Sequence, residues 1–330
     1  MENSFPISIL DLAPILQGHT ITDTFANSLD LAQHAERWSY KRYWLAEHHN
    51  MPNIASSATA ILIGYLAENT QSIRIGSGGI MLPNHAPLMV AEQFGTLGSL
   101  YPGRIDLGLG RAPGTDPLTS RALRRDIMGA QHFHLMIRDL QTFLSKENHT
   151  ASVRAIPGEG VEVPLWLLGS STDSAHLAAA KGLPYAFASH FAPRDLHAAL
   201  DIYRSEFQAS QELEHPYSMA CVNVIAADTD AEAEHLASSF YQMALGIIRG
   251  SRHPLSPPVE SMEAIWTPGE AYAVKQMMQY SFIGSASTVE QKLQDFIRDT
   301  EIDELMVTAH IYSHADRLKS YEILSGLNLG

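Results

Sequence analysis

The sequence predicts an α/β fold, a closed (β/α)8 TIM barrel with loop insertions, and three observations carry that reading. Short β-rich runs alternate strictly with longer helical runs along the 330 residues, as a parallel sheet with helical crossovers requires. Eight such units in a chain of this length favour one closed barrel over residues 1–330; an open doubly wound sheet is the alternative. Glycines cluster where strands end, the edge at which parallel α/β folds bind ligands and where a backbone must approach one closely.

The expected strands are residues 7–11, 43–46, 73–80, 105–109, 165–168, 185–188, 219–226 and 304–309. Between them the helical candidates are 22–38, 54–69, 87–101, 126–146, 173–181, 193–211, 230–249 and 288–300, with a closing helix over 314–324. Two connections exceed the usual length, 151–164 and 250–280, and long loops in a compact domain serve as lids or binding walls. The second carries Pro254, Pro257, Pro258 and Trp266 and is the candidate lid insertion; a plain surface excursion is the alternative.

Composition narrows the function classes. The chain has 36 acidic and 22 basic side chains and a formal charge of −14, without a long basic block, which argues against nucleic acid or an anionic membrane as a partner. Cys221 is the lone cysteine, so no disulfide can form within the chain and a reducing cytoplasm is expected. No signal peptide or run of about 18 apolar residues is present, so a soluble, unexported protein is expected. The candidate helix 54–69 is apolar or small nearly all round. A barrel helix should be wet on one face, so a homodimer through this helix, with 87–100 beside it, is expected.

The segment from Ile73 to Gly114 carries most of the chemistry. Ser77-Gly78-Gly79 ends a strand: either a flat ligand lies against the backbone or the chain bends sharply, by a bulge or a non-proline cis bond. Gly108-Leu109-Gly110-Arg111-Ala112-Pro113-Gly114 fails as a dinucleotide fingerprint, because Pro113 stands where the third glycine belongs. Arg111 is then a charged fork at a strand's carboxyl end, suited to a phosphate or carboxylate or to a structural ion pair. Ser170 and Ser171 open a helix whose free N–H groups could bind an anion or simply be capped. Glu47-His48-His49 follows the second strand, giving a carboxylate and imidazoles for acid–base work or hydrogen bonding. His85, His190 and His310 fall near the same face and raise a metal alternative. It is disfavoured, since the first strand lacks an early HxH and His132 and His134 point apart on a helix.

With these segments in view, the chain strongly resembles the bacterial luciferase-like superfamily of flavin-dependent oxidoreductases, from Ile7 nearly to the last helix. The likeness is carried by Trp44-Leu45-Ala46-Glu47-His48-His49, the glycine strand 73–83, Pro102 to Arg111, and Trp166-Leu167-Leu168-Gly169-Ser170-Ser171. The subgroup it is most similar to is the single-chain, FMN-dependent one. The resemblance implies a (β/α)8 barrel that takes reduced FMN from a separate NAD(P)H:flavin reductase and forms a C4a-peroxyflavin with O2. It places a non-proline cis peptide at Gly78 and Gly79 against the flavin ring, and the FMN phosphate at Arg111, Ser170, Ser171 and Ser174. Ser189 and His190 approach the ring from another side. His48 matches the active-site histidine, with Glu47 beside it as the second catalytic candidate.

The light emitters carry a cysteine where this chain has Gly110 and a glutamate where it has Ser170, which argues against bioluminescence. The function expected is a flavin-dependent monooxygenase acting on a small organic substrate such as an aldehyde or ketone. A deazaflavin- or flavin-dependent reductase and a non-catalytic FMN-binding protein are the alternatives.

Overall fold

The computed structural model describes residues 5–123 and 131–330. Its parallel strands are β1 (Ile7–Asp11), β2 (Arg42–Leu45), β3 (Arg74–Met81), β4 (Ile105–Gly110), β5 (Leu165–Gly169), β6 (Tyr185–Phe187), β7 (Ser218–Ala227), β8 (Ser281–Ser285) and β9 (Glu304–Thr308). Strands β1 to β7 pair in succession, β7 pairs with β9, and β9 returns to β1, closing a ring of eight. The expected (β/α)8 barrel is the fold.

The helices are α1 (Ile21–Arg37), α2 (Thr59–Glu68), α3 (Pro87–Leu100), α4 (Pro117–Ala122), α5 (Phe133–Leu144), α6 (Thr172–Lys181), α7 (Leu196–Ser205), α8 (Asp230–Ile248), α9 (Pro268–Met277), α10 (Ala286–Thr300) and α11 (His314–Ser325). Residues 124–130, where the expected helix 126–146 begins, lie outside the described residues.

Four expectations need correction. Strand β8 was not expected: Ser-Phe-Ile-Gly-Ser buries only Phe282 and Gly284, too weak a pattern to read as a strand. It exists because β7 runs past the barrel, its lower half pairing with β9 and Asn223 to Ala227 pairing with β8. Helix α2 starts at Thr59 rather than at 54. Ile54 instead forms an antiparallel bridge with Pro14, and the Ala55 N–H donates to the Ala13 carbonyl at 3.0 Å. Helices α4 and α9 were missed, although Asp116-Pro117 and the Thr267/Glu270 capping box are start signals. Finally, 151–164 enters β5 at its amino end and packs on α3, where a Cβ on Gly95 would collide with the Gly158 backbone. It forms no wall at the strands' carboxyl ends.

The core has two compartments, as alternation along strands dictates. Outward-facing residues such as Ile9, Tyr43, Ile75 and Leu107 pack beneath the helices. Leu10, Trp44, Trp166, Met219 and Met306 fill the barrel, with the two indoles edge to face at 5.2 Å. Below them lies a buried ion network. Arg42 donates to Asp106 at 2.8 Å and to Glu304 at 2.7 Å, and its guanidinium stacks 4.6 Å from the Trp166 ring. Such a network contributes little net stability but punishes loss of a single member, which would strand a buried charge.

Candidate active site

The strand β3 glycines are partly explained by the barrel itself. A Cβ on Gly78 would lie 2.8 Å from Leu10 Cδ1 and 3.2 Å from Trp44 Cβ; one on Gly79 would lie 2.6 Å from the Gly108 carbonyl oxygen. The peptide between them is cis, and pairing with β4 shifts register between Ser77 and Ile80. The bend and the cis bond therefore occur together.

Next along the mouth, Arg111 follows β4 and reaches α6, pairing with Asp173 at 3.1 Å. Ser171 is the N-cap of α6 but its side chain makes no capping bond, so first-turn N–H groups are left for another acceptor. Ser174 Oγ donates to the Ser171 carbonyl at 2.7 Å and meets the Tyr185 hydroxyl at 3.0 Å, which fixes the loop. Ser170 and Ser171 are half-buried. An uncapped helix start beside a guanidinium fits a phosphate-bearing cofactor.

Glu47 is buried and serves as a hub. His49 Nε2 lies 2.9 Å from its carboxylate, His85 Nε2 3.0 Å from both oxygens, the Met81 N–H donates at 2.9 Å and Asn84 Nδ2 at 3.2 Å. Burial raises the pKa of this carboxyl, but the hydrogen bonds from His49, His85 and Met81 outweigh it and bring it down to about 2. Glu47 is thus a fixed anion tying β2 to the end of β3. His85 and Asn84 were not foreseen in this role; the only signal was a polar Pro-Asn-His turn directly after a strand.

His48, next in sequence, has different partners. Its N–H donates to the Ser56 carbonyl, and its Nδ1 lies 3.4 Å from the Gly114 carbonyl oxygen. Gly114 has a positive φ of 63°, and a Cβ there would sit 2.8 Å from the Glu47 carbonyl, so only glycine lets this loop lie on the rim. A carbonyl can only accept, so the contact sets the Nδ1–H tautomer and leaves Nε2 as a base. Burial lowers the His48 pKa; the Gly114 carbonyl opposes this and the charge of Arg252 adds to it.

His190 and His310 complete the mouth. Burial, then the charges of His310 and His48, hold His190 at about 3, and its Nδ1 is buried without a hydrogen-bond partner. His310, stacked on Phe240 at 4.9 Å, is held at about 4 by burial and Arg317, against Asp11. Ser189 is tied inward, donating to the Cys221 carbonyl at 2.6 Å. Among the described residues no cluster of three or more His, Cys, Asp or Glu is arranged to hold a metal ion.

A (β/α)8 barrel with an anion cradle, a glycine-lined strand and neutral imidazoles around one mouth is the frame of a cofactor-dependent enzyme. The family model of the luciferase-like monooxygenases matches residues 7–304. A luciferase-like monooxygenase of Escherichia coli (strain K12) is 50% identical over 323 residues, covering 98% of this chain and 96% of that one. An N-acetyl-S-alkylcysteine monooxygenase of Bacillus subtilis (strain 168) is 32% identical over 326 residues, covering 97% of each. The crystal structure of apo-MsnO8 superposes with a TM-score of 0.90 at 33% identity, covering 97% of each chain. The oxygenating constituent of 3,6-diketocamphane monooxygenase from Pseudomonas putida, solved in complex with FMN, shares the fold with a TM-score of 0.76 at 17% identity, covering 99% of this chain and 98% of that one. The chain belongs to the luciferase-like monooxygenase family and is an oxidoreductase of the monooxygenase class.

Proposed function

We propose that the chain is a flavin-dependent monooxygenase that receives reduced FMN from a separate NAD(P)H:flavin reductase and oxidises a small organic molecule with O2 in the cytoplasm. The observation that carries this reading is the uncapped start of α6, whose Asp173 pairs with Arg111 from the end of β4. Arg111 and the N–H groups after Ser170 and Ser171 hold the phosphate, with Ser174 bracing their loop. Gly78 and Gly79 would offer backbone to the flavin ring, and His190, after β6, would be available to it through an Nδ1 that is buried without a partner. The bound flavin supplies the electrons that activate O2. His48 stays neutral near pH 7 and accepts a proton at Nε2 from substrate or solvent. Glu47 acts through others, fixing His85, His49 and the end of β3.

A second copy of the chain is the expected structural partner. Helix α2 buries Ile63, Leu66 and Ala67 but leaves Ile61 74% exposed, and Met89 and Leu100 of α3 are exposed as well. These apolar groups are the face that a homodimer would cover.

The test is oxygenation under 18O2 with FMN, NADH and a flavin reductase, offering aldehyde, ketone and thioether substrates. Product bearing one 18O atom is expected. Equal turnover without oxygen, or FMN binding without any product, would overturn the reading in favour of a reductase or a carrier.

A further inference from the structure

The stretch 250–256 lies at the barrel mouth. The Leu255 N–H donates to the Ile15 carbonyl at 2.8 Å and the Gln17 N–H donates to the Leu255 carbonyl at 2.9 Å. On the other side of the same loop the Ile15 N–H donates to the Asn53 carbonyl at 3.0 Å. The loop after β1 is therefore clasped between this strap and the rim that continues from His48. The Ser251 N–H donates to the Gly246 carbonyl at 2.8 Å, and downstream the Val259 N–H donates to Ser238 Oγ at 2.8 Å and Gln242 Nε2 to the Pro257 carbonyl at 2.9 Å, so the strap is held at both ends.

Arg252 rides on this strap, exposed, and close enough for its charge to act on the His48 ring. Two arginines, Arg111 and Arg317, each meet a carboxylate, Asp173 at 3.1 Å and Asp11 at 2.7 Å. Arg252 makes no hydrogen bond or ion pair among the described residues, in a chain of formal charge −14. A guanidinium held on a tied segment beside the site, with its planar fork of donors unspent, is suited to a carboxylate brought by a ligand.

We propose that Arg252 recognises a carboxylate on the organic substrate, so that this enzyme selects small carboxylic acids over their neutral esters and amides. The proposal rests on the oxygenase reading above and deepens it by naming the substrate class. The acid group docks under the strap while the rest of the molecule points toward His48. The phosphate of the cofactor is held at α6 and takes no part in this contact.

Calorimetric titration of the FMN-loaded protein with two carboxylates of unlike skeleton, N-acetylmethionine and hexanoate, tests it against N-acetylmethionine methyl ester and hexanamide. At least one acid is expected to bind tenfold or more tightly than its neutral counterpart. Arg252→Ala should erase that preference, Arg252→Lys should keep part of it, and both variants should bind FMN as the parent does. Equal binding of acids and neutral probes overturns the proposal, as does a preference that survives Arg252→Ala or a loss of FMN affinity in that variant. Failure of the oxygenase reading looks different: acid binding still depends on Arg252, but no 18O enters any product.

Discussion

Arg111, His48 and the paired glycines make distinct predictions because their contacts differ. Arg111→Ala should weaken FMN binding by about 1.5–3 kcal/mol, the range for a lost charge-assisted hydrogen bond, measured by quenching of flavin fluorescence; an unchanged Kd would assign the residue to a structural role such as its ion pair with Asp173. His48→Ala should leave FMN affinity intact and depress kcat. In the parent enzyme kcat/KM should fall on the acid side, where protonation removes the Nε2 base, with the limb below the ordinary imidazole value of ~6.5 because the His48 pKa is lowered. At β3 the order of damage is set by what surrounds each missing Cβ. Gly79→Ala meets the Gly108 backbone and should cost more stability, about 1–3 kcal/mol by urea unfolding, than Gly78→Ala, which meets the movable end of Leu10. Arg111 and His48 could be picked out in the sequence because Arg111 stands directly after a strand and His48 three residues beyond one. Asp173 and His85 were not, since they meet Arg111 and Glu47 only after the barrel brings distant strand ends together.

Helices α2 and α3 illustrate what pattern can and cannot tell. An excess of apolar residues marked α2 for cover on two sides, and the exposed Ile61 and Met89 are in keeping with a second apolar face. Ile61→Glu should therefore shift the protein from dimer to monomer in sedimentation equilibrium while leaving its thermal stability largely unchanged at matched monomer content; a parent protein that is monomeric at micromolar concentration would dispose of the dimer. The start of α2 was misplaced because Ile54 and Ala55 look helical but are drawn into pairing with Ala13 and Pro14, a contact periodicity does not encode. Strand β8 was lost for the converse reason. Its five residues become a strand only because β7 extends beyond the barrel to meet them.

For the molecule as a whole, buried imidazoles set the acid limit of stability. His190 is held at about 3 and His310 at about 4, whereas both titrate near ~6.5 in the unfolded chain. Below that value the unfolded state binds protons that the native state refuses, so stability falls with pH from ~6.5 toward 4, by up to ~1.4 kcal/mol per pH unit for each group. Glu47, held at about 2, adds stability above its ordinary value near 4.5 that is lost only as pH drops from there toward 2. The urea midpoint should fall between pH 6.5 and 4, and His310→Gln should flatten that slope; a flat profile in the parent would show that the imidazoles are hydrated. At the opposite end of the barrel, Arg42, Asp106 and Glu304 plug the floor beneath Trp44 and Trp166, and the cavity of about 330 Å³ outside them, lined by Lys41, Arg74 and Tyr217, ends against that plug. The barrel axis is therefore solid at this end, and a ligand bound at the carboxyl ends of the strands rests on packed side chains rather than over a channel.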